Sequence, residues 1–237
     1  MRRRLTLGSI ALSVVMLTTA CGSDSNEAQG SDSTAATESS AAGDVGDAAT
    51  DPATCAEGKT LTAGTLTIAT GDPAFPPYVL DDDPASGQGF EAAVAMRVAE
   101  LMGFTGDAVT WVRTGFDEAV QPGPKRFDFN LQQYSITDER KQVVSFSDPY
   151  YTAAPAILGY EDSPAATVDN VEGFAALKLG AAAGTTSLDY ITDVIKPDSA
   201  PFVFNDNAAA KQALDSKQID AIVTDLPTAL YITAVEM

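Results

Sequence analysis

Arg140 occupies a position that calls for an anion. It follows Thr137, Asp138 and Glu139 in SITDERKQ, where Thr137 has the character of a helix N-cap and two acids fill the first turn. A cation in that turn opposes the helix dipole unless something negative meets it. In a chain with 33 Asp and Glu against 14 Lys and Arg, the default partner of a lone arginine is a surface carboxylate. Residues at the other expected strand ends point to a different anion. Asp72, Phe75 and Tyr78 follow the run TLTIA in GDPAFPPY, a loop whose prolines limit where the aromatics can point. Phe116 follows AVTWVR, and Gln132, Gln133 and Ser135 close or follow FDFNLQQ. Gly184, Thr185 and Thr186 lie between KLGAAA and a helical run, with Thr186 and Asp189 at capping-box spacing. Asp225 ends AIVTD just before a proline.

Each of these has a structural reading of its own: Phe75 as core, Thr186 in a capped helix, Asp225 as another N-cap. Together they supply an arginine, hydroxyls and a helix N-terminus for an anion, a carboxylate for a cation, and aromatics for a side chain. That set suits an α-amino acid zwitterion, whose carboxylate a planar guanidinium grips in two places. The chain has no histidine, which removes Ser/His and Cys/His catalysis and most zinc sites. No metal or cofactor is expected. The acidic run Asp81, Asp82, Asp83 is followed by Pro84 and Gly87 without a spaced glutamate, so it reads as a solvated loop rather than a calcium site.

These residues need a scaffold that gathers strand ends. From about residue 60 the chain alternates short β-rich runs with helical ones. Strands are expected at TLTIA (65–69), AVTWVR, FDFNLQQ and VVSFS, with helices at FEAAVAMRVAELMG (90–103), GFDEAV and around Arg140. The long helix should bury Phe90, Val94, Val98 and Leu101 and stop at Gly103. PAILGYE reads as a joining segment. After it KLGAAA, PFVFN and AIVTD alternate with SLDYITDVI, AAAKQALDSK and PTALYITAV. The fold class is therefore α/β: two lobes of parallel-rich sheets flanked by helices, with a ligand cleft between them. Lobe 1 is expected over 59–155 and lobe 2 over 156–237.

The first twenty residues have the form of a targeting segment: Arg2, Arg3 and Arg4, then LTLGSIALSVVMLTTA, too short to span a membrane. The run ends at Cys21 in LTTACG, which resembles a bacterial lipobox, except that Thr18 stands in the usual leucine position and Leu17 lies one residue further back. A lipid on Cys21 is the expectation, the alternative being ordinary secretory cleavage after Ala20. Residues up to 58 are dominated by Ser, Ala, Gly, Asp and Thr and read as a tether. Cys55 is the other cysteine and has no partner in the sequence beyond Cys21. A net charge of −19 argues against nucleic acid and anionic lipid surfaces as partners.

GTLTIATGDPAFPPY, GFEAAVAMRVAELMG, SITDERKQVVSFSDPYY, LGAAAGTTSLDY and IDAIVTDLPTALY resemble, in order and spacing, the amino-acid-binding extracytoplasmic solute-binding proteins of ABC importers. The resemblance runs from about residue 62 to 232. It implies that Arg140 grips the ligand α-carboxylate, with Ser135 and Thr186 bonding it and Asp225 holding the α-amino group. Phe75 and Phe116 would sandwich the side chain, Asp72 would lie near its far end, and Gln133 would form part of the wall. It also implies a monomer partnered by a membrane permease and anchored outside the cytoplasm through Cys21. Two departures stand out. Gln132 and Gln133 replace residues that are small in the family, and the family pattern continues beyond Met237, so a truncated chain with an incomplete first lobe is expected. The competing readings are a cyclohexadienyl or arogenate dehydratase on the same fold, for which no additional pocket glutamate is evident, and a non-transporting sensor or fragment.

Overall fold

The computed structural model describes residues 51–237. The targeting segment 1–20, Cys21 and the tether up to residue 50 lie outside the described residues.

A short helix, α1 (Pro52–Ala56), precedes two α/β layers. The first contains β1 (Leu66–Gly71), α2 (Phe90–Leu101), β2 (Val109–Thr114), α3 (Phe116–Val120), β3 (Phe129–Asn130) and α4 (Asp138–Lys141). Its sheet has the order β2-β1-β3, with β1 parallel to both neighbours. The second contains β4 (Pro155–Leu158), β5 (Leu179–Ala182), α5 (Thr186–Asp189), β6 (Phe202–Phe204), α6 (Asn207–Asp215), β7 (Ala221–Asp225) and α7 (Leu226–Tyr231). Its order is β4-β7-β5-β6, parallel except for β4 against β7. Placing β-branched and small apolar residues on strands covered by helices produces this arrangement.

The cores follow from strand alternation. In β7, Ile222 packs with Leu158, Leu214 and Ile219 on one face, while Ala221 and Val223 pack with Leu179, Ile191 and Ile195 on the other. In the first sheet, Leu66 and Ile68 of β1 meet Ala95 and Ala99 of α2 and Leu131.

Four elements differ from expectation. The face of α2 that is buried carries Glu91, Ala92, Ala95 and Ala99, while Phe90 and Leu101 are 39% and 48% exposed. The chain enters the helix through Gly89, where φ is +103° and a Cβ would lie 2.4 Å from the Tyr78 carbonyl. VVSFS forms no strand, because the N–H groups of Val143 and Val144 both donate to the Arg140 carbonyl at 3.0 Å instead of to a ladder. PAILGYE is not a joiner but contains β4, whose Pro155 stands opposite Asp225. FDFNLQQ forms strand only over β3, flanked by single bonds from the Asp128 and Leu131 N–H groups to β1, and at Gln133 the chain turns left-handed at φ 54°.

Asp82 braces the acidic loop. It accepts from the Ala74 N–H at 2.8 Å and pairs with Arg113, whose Nη2 also donates to the Asp82 carbonyl at 3.0 Å. These two donors hold its carboxyl below the usual aspartate range, against a burial contribution that pushes it up.

Candidate functional site

The carboxyl ends of β1, β2 and β3 face those of β5 and β7 across a cleft of about 1490 Å³. All eight residues singled out as ligand contacts line it, drawn from positions as far apart as Asp72 and Asp225.

Arg140 lies at its centre. Thr137 caps α4 by accepting from the Arg140 N–H at 3.2 Å, so the helix start is the one expected. Arg140 as a residue is only 9% exposed. Its Nη1 donates to the Ser135 carbonyl at 2.8 Å and its Nη2 to the Gly184 carbonyl at 2.9 Å. The Phe116 and Tyr134 rings lie 5.3 and 5.4 Å from its carbon, within cation–π range. Burial lowers its pKa, while Tyr134, Asp189, Glu139 and Asp117 act in the opposite direction. Among the described residues, no carboxylate forms an ion pair with it. The surface ion pair considered from sequence is therefore not what Arg140 makes.

Three contacts join the two layers here. One is the Arg140 bond to Gly184. Another joins Ser135 Oγ and Thr186 Oγ1 at 3.0 Å. The third runs from the Tyr78 hydroxyl to Asp225 Oδ1 at 2.6 Å. Gly184 has a φ of +67°, which favours glycine, and a Cβ there would also displace the Asp117 carboxylate, whose Oδ1 would lie 1.9 Å away. Thr185, not Thr186, caps α5, accepting from the Leu188 N–H at 3.2 Å. That leaves the Thr186 hydroxyl free of capping and turned to Ser135.

Asp225 does serve as an N-cap, taking the Thr228 N–H at 3.0 Å and the Thr228 hydroxyl at 2.7 Å. Together with Tyr78 these donors leave limited room on the carboxylate for a further one. Burial first, then Asp225, pushes the Tyr78 phenol well above its usual value. Asp72 is exposed and Phe75 half-buried on the cleft lining. Phe116 stacks on Tyr134, with ring centres 4.4 Å apart and planes tilted by 32°.

Two residues were missed from sequence. Tyr134 adds the second aromatic beside Arg140, its hydroxyl donating to the Phe116 carbonyl at 2.5 Å. It sits between two chosen positions, Gln133 and Ser135, and nothing in its immediate sequence sets it apart from them. Glu91 corrects the statement that no additional pocket glutamate is present. It is 2% exposed, lines the cleft, and accepts from the Gln133 N–H at 2.9 Å and the Tyr150 hydroxyl at 2.5 Å. The Gln133 side-chain amide also donates to it. Burial raises its pKa, with these donors opposing the rise and the Asp225 charge adding to it. The neighbouring Gln132 is buried and turned to Thr114, whose hydroxyl donates to its Oε1 at 3.1 Å.

Comparison with known proteins agrees with this geometry. Residues 66–225 match the family model for bacterial extracellular solute-binding proteins, family 3. The chain is 32% identical over 170 residues to a probable histidine-binding protein of Campylobacter jejuni, covering 70% of this chain and 62% of that protein. It is 25% identical over 174 residues to an arginine-binding periplasmic protein of Mannheimia haemolytica, covering 72% and 67%. It therefore spans roughly two thirds of the length of these curated relatives. Among solved structures, an ancestral amino-acid-binding protein, a precursor of cyclohexadienyl dehydratase, superposes with a TM-score of 0.62 at 33% identity, covering 73% and 75% of the two chains. An ancestral arginine-binding protein bound to arginine gives 0.60 at 32% identity, covering 72% and 74%. Parallel-rich sheets facing one cleft are the two-lobe, type II periplasmic-binding-protein architecture. On its match over 66–225 and on that architecture, the chain belongs to the bacterial extracellular solute-binding proteins of family 3.

Proposed function

We propose that this protein captures a polar α-amino acid outside the cytoplasm and hands it to the permease of an ABC importer. The observation that carries the reading is Arg140: a buried guanidinium in the cleft, held by two main-chain carbonyls and without a carboxylate partner among the described residues. A ligand carboxylate supplies the missing charge, with Ser135 and Thr186 beside it and Asp225 accepting the ammonium group. Phe75 and Phe116 pack the side chain, with Gln133 in the wall. Asp72 favours a cationic or amide side chain over an acidic one. The names of the relatives, arginine- and histidine-binding, are in keeping with that class. Capture is a closure of one lobe on the other with no bond made or broken.

The anchoring scheme completes the reading. Residues 1–20 direct export, Cys21 carries the lipid, residues up to 58 tether a monomeric domain, and lobes spanning 59–155 and 156–237 close on the ligand.

Glu91 brings the dehydratase reading back for comparison, since a general acid is a carboxyl with a raised pKa. Its oxygens are instead filled by donors from Gln133 and Tyr150, which makes it an acceptor within the wall. Binding is therefore the reading the geometry favours. Thermal unfolding with L-arginine, L-lysine, L-histidine, L-glutamine, L-glutamate or L-aspartate tests it. Ligand at about a hundred times Kd adds roughly 2.7 kcal/mol. A rise with one of the first four supports the proposal, whereas no rise together with turnover of prephenate or arogenate would replace it with an enzyme.

A further inference from the structure

Glu91 lies in the first turn of α2, where a carboxylate ordinarily faces water and complements the helix dipole. Here it does neither alone. It is buried, and its side chain joins three parts of the chain that are distant in sequence: α2, the loop after β3 through Gln133, and the segment leading into β4 through Tyr150. Two of its bonds go to one residue, since both the main-chain and the side-chain N–H groups of Gln133 donate to it. That grip falls on a residue in the left-handed region at φ 54°, a conformation that costs a glutamine energy unless it is held.

Gln133 stands two residues before Ser135. The Ser135 carbonyl in turn accepts from Arg140 at 2.8 Å, and its hydroxyl shares a hydrogen bond with the Thr186 hydroxyl at 3.0 Å. The direction of the Ser135 backbone is therefore set by how Gln133 is held. Tyr150 extends the same clamp to the chain that passes from the first sheet to the second, and Phe90, next to Glu91, packs on Tyr150 and Tyr151 with ring centres 6.1 and 5.2 Å away.

We infer that Glu91 is a positioning residue of the binding site: its ionised carboxylate clamps Gln133 and Tyr150, and so aims Ser135 at Arg140 and Thr186. This rests on the amino-acid-binding reading. Protonation replaces one acceptor oxygen with a donor hydroxyl, so the clamp loses a bond on acidification, and affinity falls with it. The groups whose charge reaches Glu91 are Asp225, at the end of β7, and the phenols of Tyr78, Tyr134 and Tyr150, all three pushed upward by burial.

The sign for stability is opposite. Because burial raises the Glu91 pKa, folding favours its protonated form, and the stability associated with Glu91 decreases as pH rises through the raised value. A merely structural glutamate would therefore be replaced by glutamine without loss of binding.

The test compares wild type with Glu91→Gln and Glu91→Asp by calorimetric titration with L-arginine between about pH 4.5 and 7.5, with thermal unfolding and hydrogen exchange at Gln133 alongside. The expected result at neutral pH is an affinity at least tenfold weaker in Glu91→Gln, an unfolding midpoint no lower than wild type, and faster exchange of the Gln133 amide. Glu91→Asp, which keeps the charge, should lose less. The affinity ratio of wild type to Glu91→Gln should shrink on acidification. An affinity within twofold of wild type in Glu91→Gln overturns the inference, as does a pH-independent ratio. Should wild type bind L-arginine at no pH, the binding reading is what fails; the Gln133 exchange comparison then decides the clamp, and equal protection overturns it.

Discussion

The two layers of the molecule put similar α/β material to different uses. In the second, apolar clusters cover both faces of a four-stranded sheet, and Ile222, Val223, Leu179 and Ile191 are fully enclosed. In the first, a three-stranded sheet ends in polar side chains: Thr114, Asn130 and Gln132 bond one another below the cleft, and Glu91 and Arg140 are buried beside them. Six of the eight proposed contacts come from the first layer, and the second adds Thr186, Asp225 and the Gly184 carbonyl. The difference teaches that apolar burial dominates the second layer, with polar bonds such as Lys211 to Asp215 at its margin, whereas the first keeps a set of costly buried polar groups in fixed directions beside the cleft.

Substitutions on each side should separate these roles. Ile222→Ala should cost about 2–5 kcal/mol of stability by removing packed atoms and leaving a cavity, measurable by urea denaturation, with ligand affinity of the folded fraction retained. Arg140→Ala should do the reverse. Ligand affinity should fall by about 2–5 kcal/mol in calorimetry while the protein still unfolds cooperatively. Unchanged affinity in that variant would end the amino-acid assignment. Tyr78→Phe, which removes the bond across the cleft to Asp225, should lower stability by about 1–3 kcal/mol in the same denaturation assay. The smallest effect should come from Asp215 on α6. Hydrogen bonds from Lys211 and then Tyr160 hold its carboxyl below the usual aspartate range. That contribution is present above the ordinary aspartate value and fades as pH falls through the lowered one. Asp215→Asn should therefore flatten the acid side of a melting-temperature profile slightly.

Much of the site was legible because it lies where strands stop, and strand ends can be read from apolar runs broken by Gly, Pro or polar residues. Asp72, Phe116, Ser135, Arg140, Thr186 and Asp225, which all line the cleft, were read this way. Glu91 was not, because it opens a helix in a position where an acid needs no special reason. Its burial depends on contacts from Gln133 and Tyr150, which lie 42 and 59 residues away. Likewise α2 exposes Phe90 and Leu101, while Ala95 and Ala99, flanked by the partly buried Val94, meet the sheet.

The sequence by itself determined the α/β alternation, the caps at Thr137 and Asp225, and the chemical types gathered in the cleft. These depend on local periodicity and on side chains bonding their own backbone a few residues away. Only the tertiary structure decided which carbonyls hold Arg140, that Thr185 rather than Thr186 caps its helix, and that Glu91 turns inward to clamp Gln133. Those outcomes depend on where separate strands end relative to one another, and such distances are fixed by packing between elements rather than by the order of residues within one.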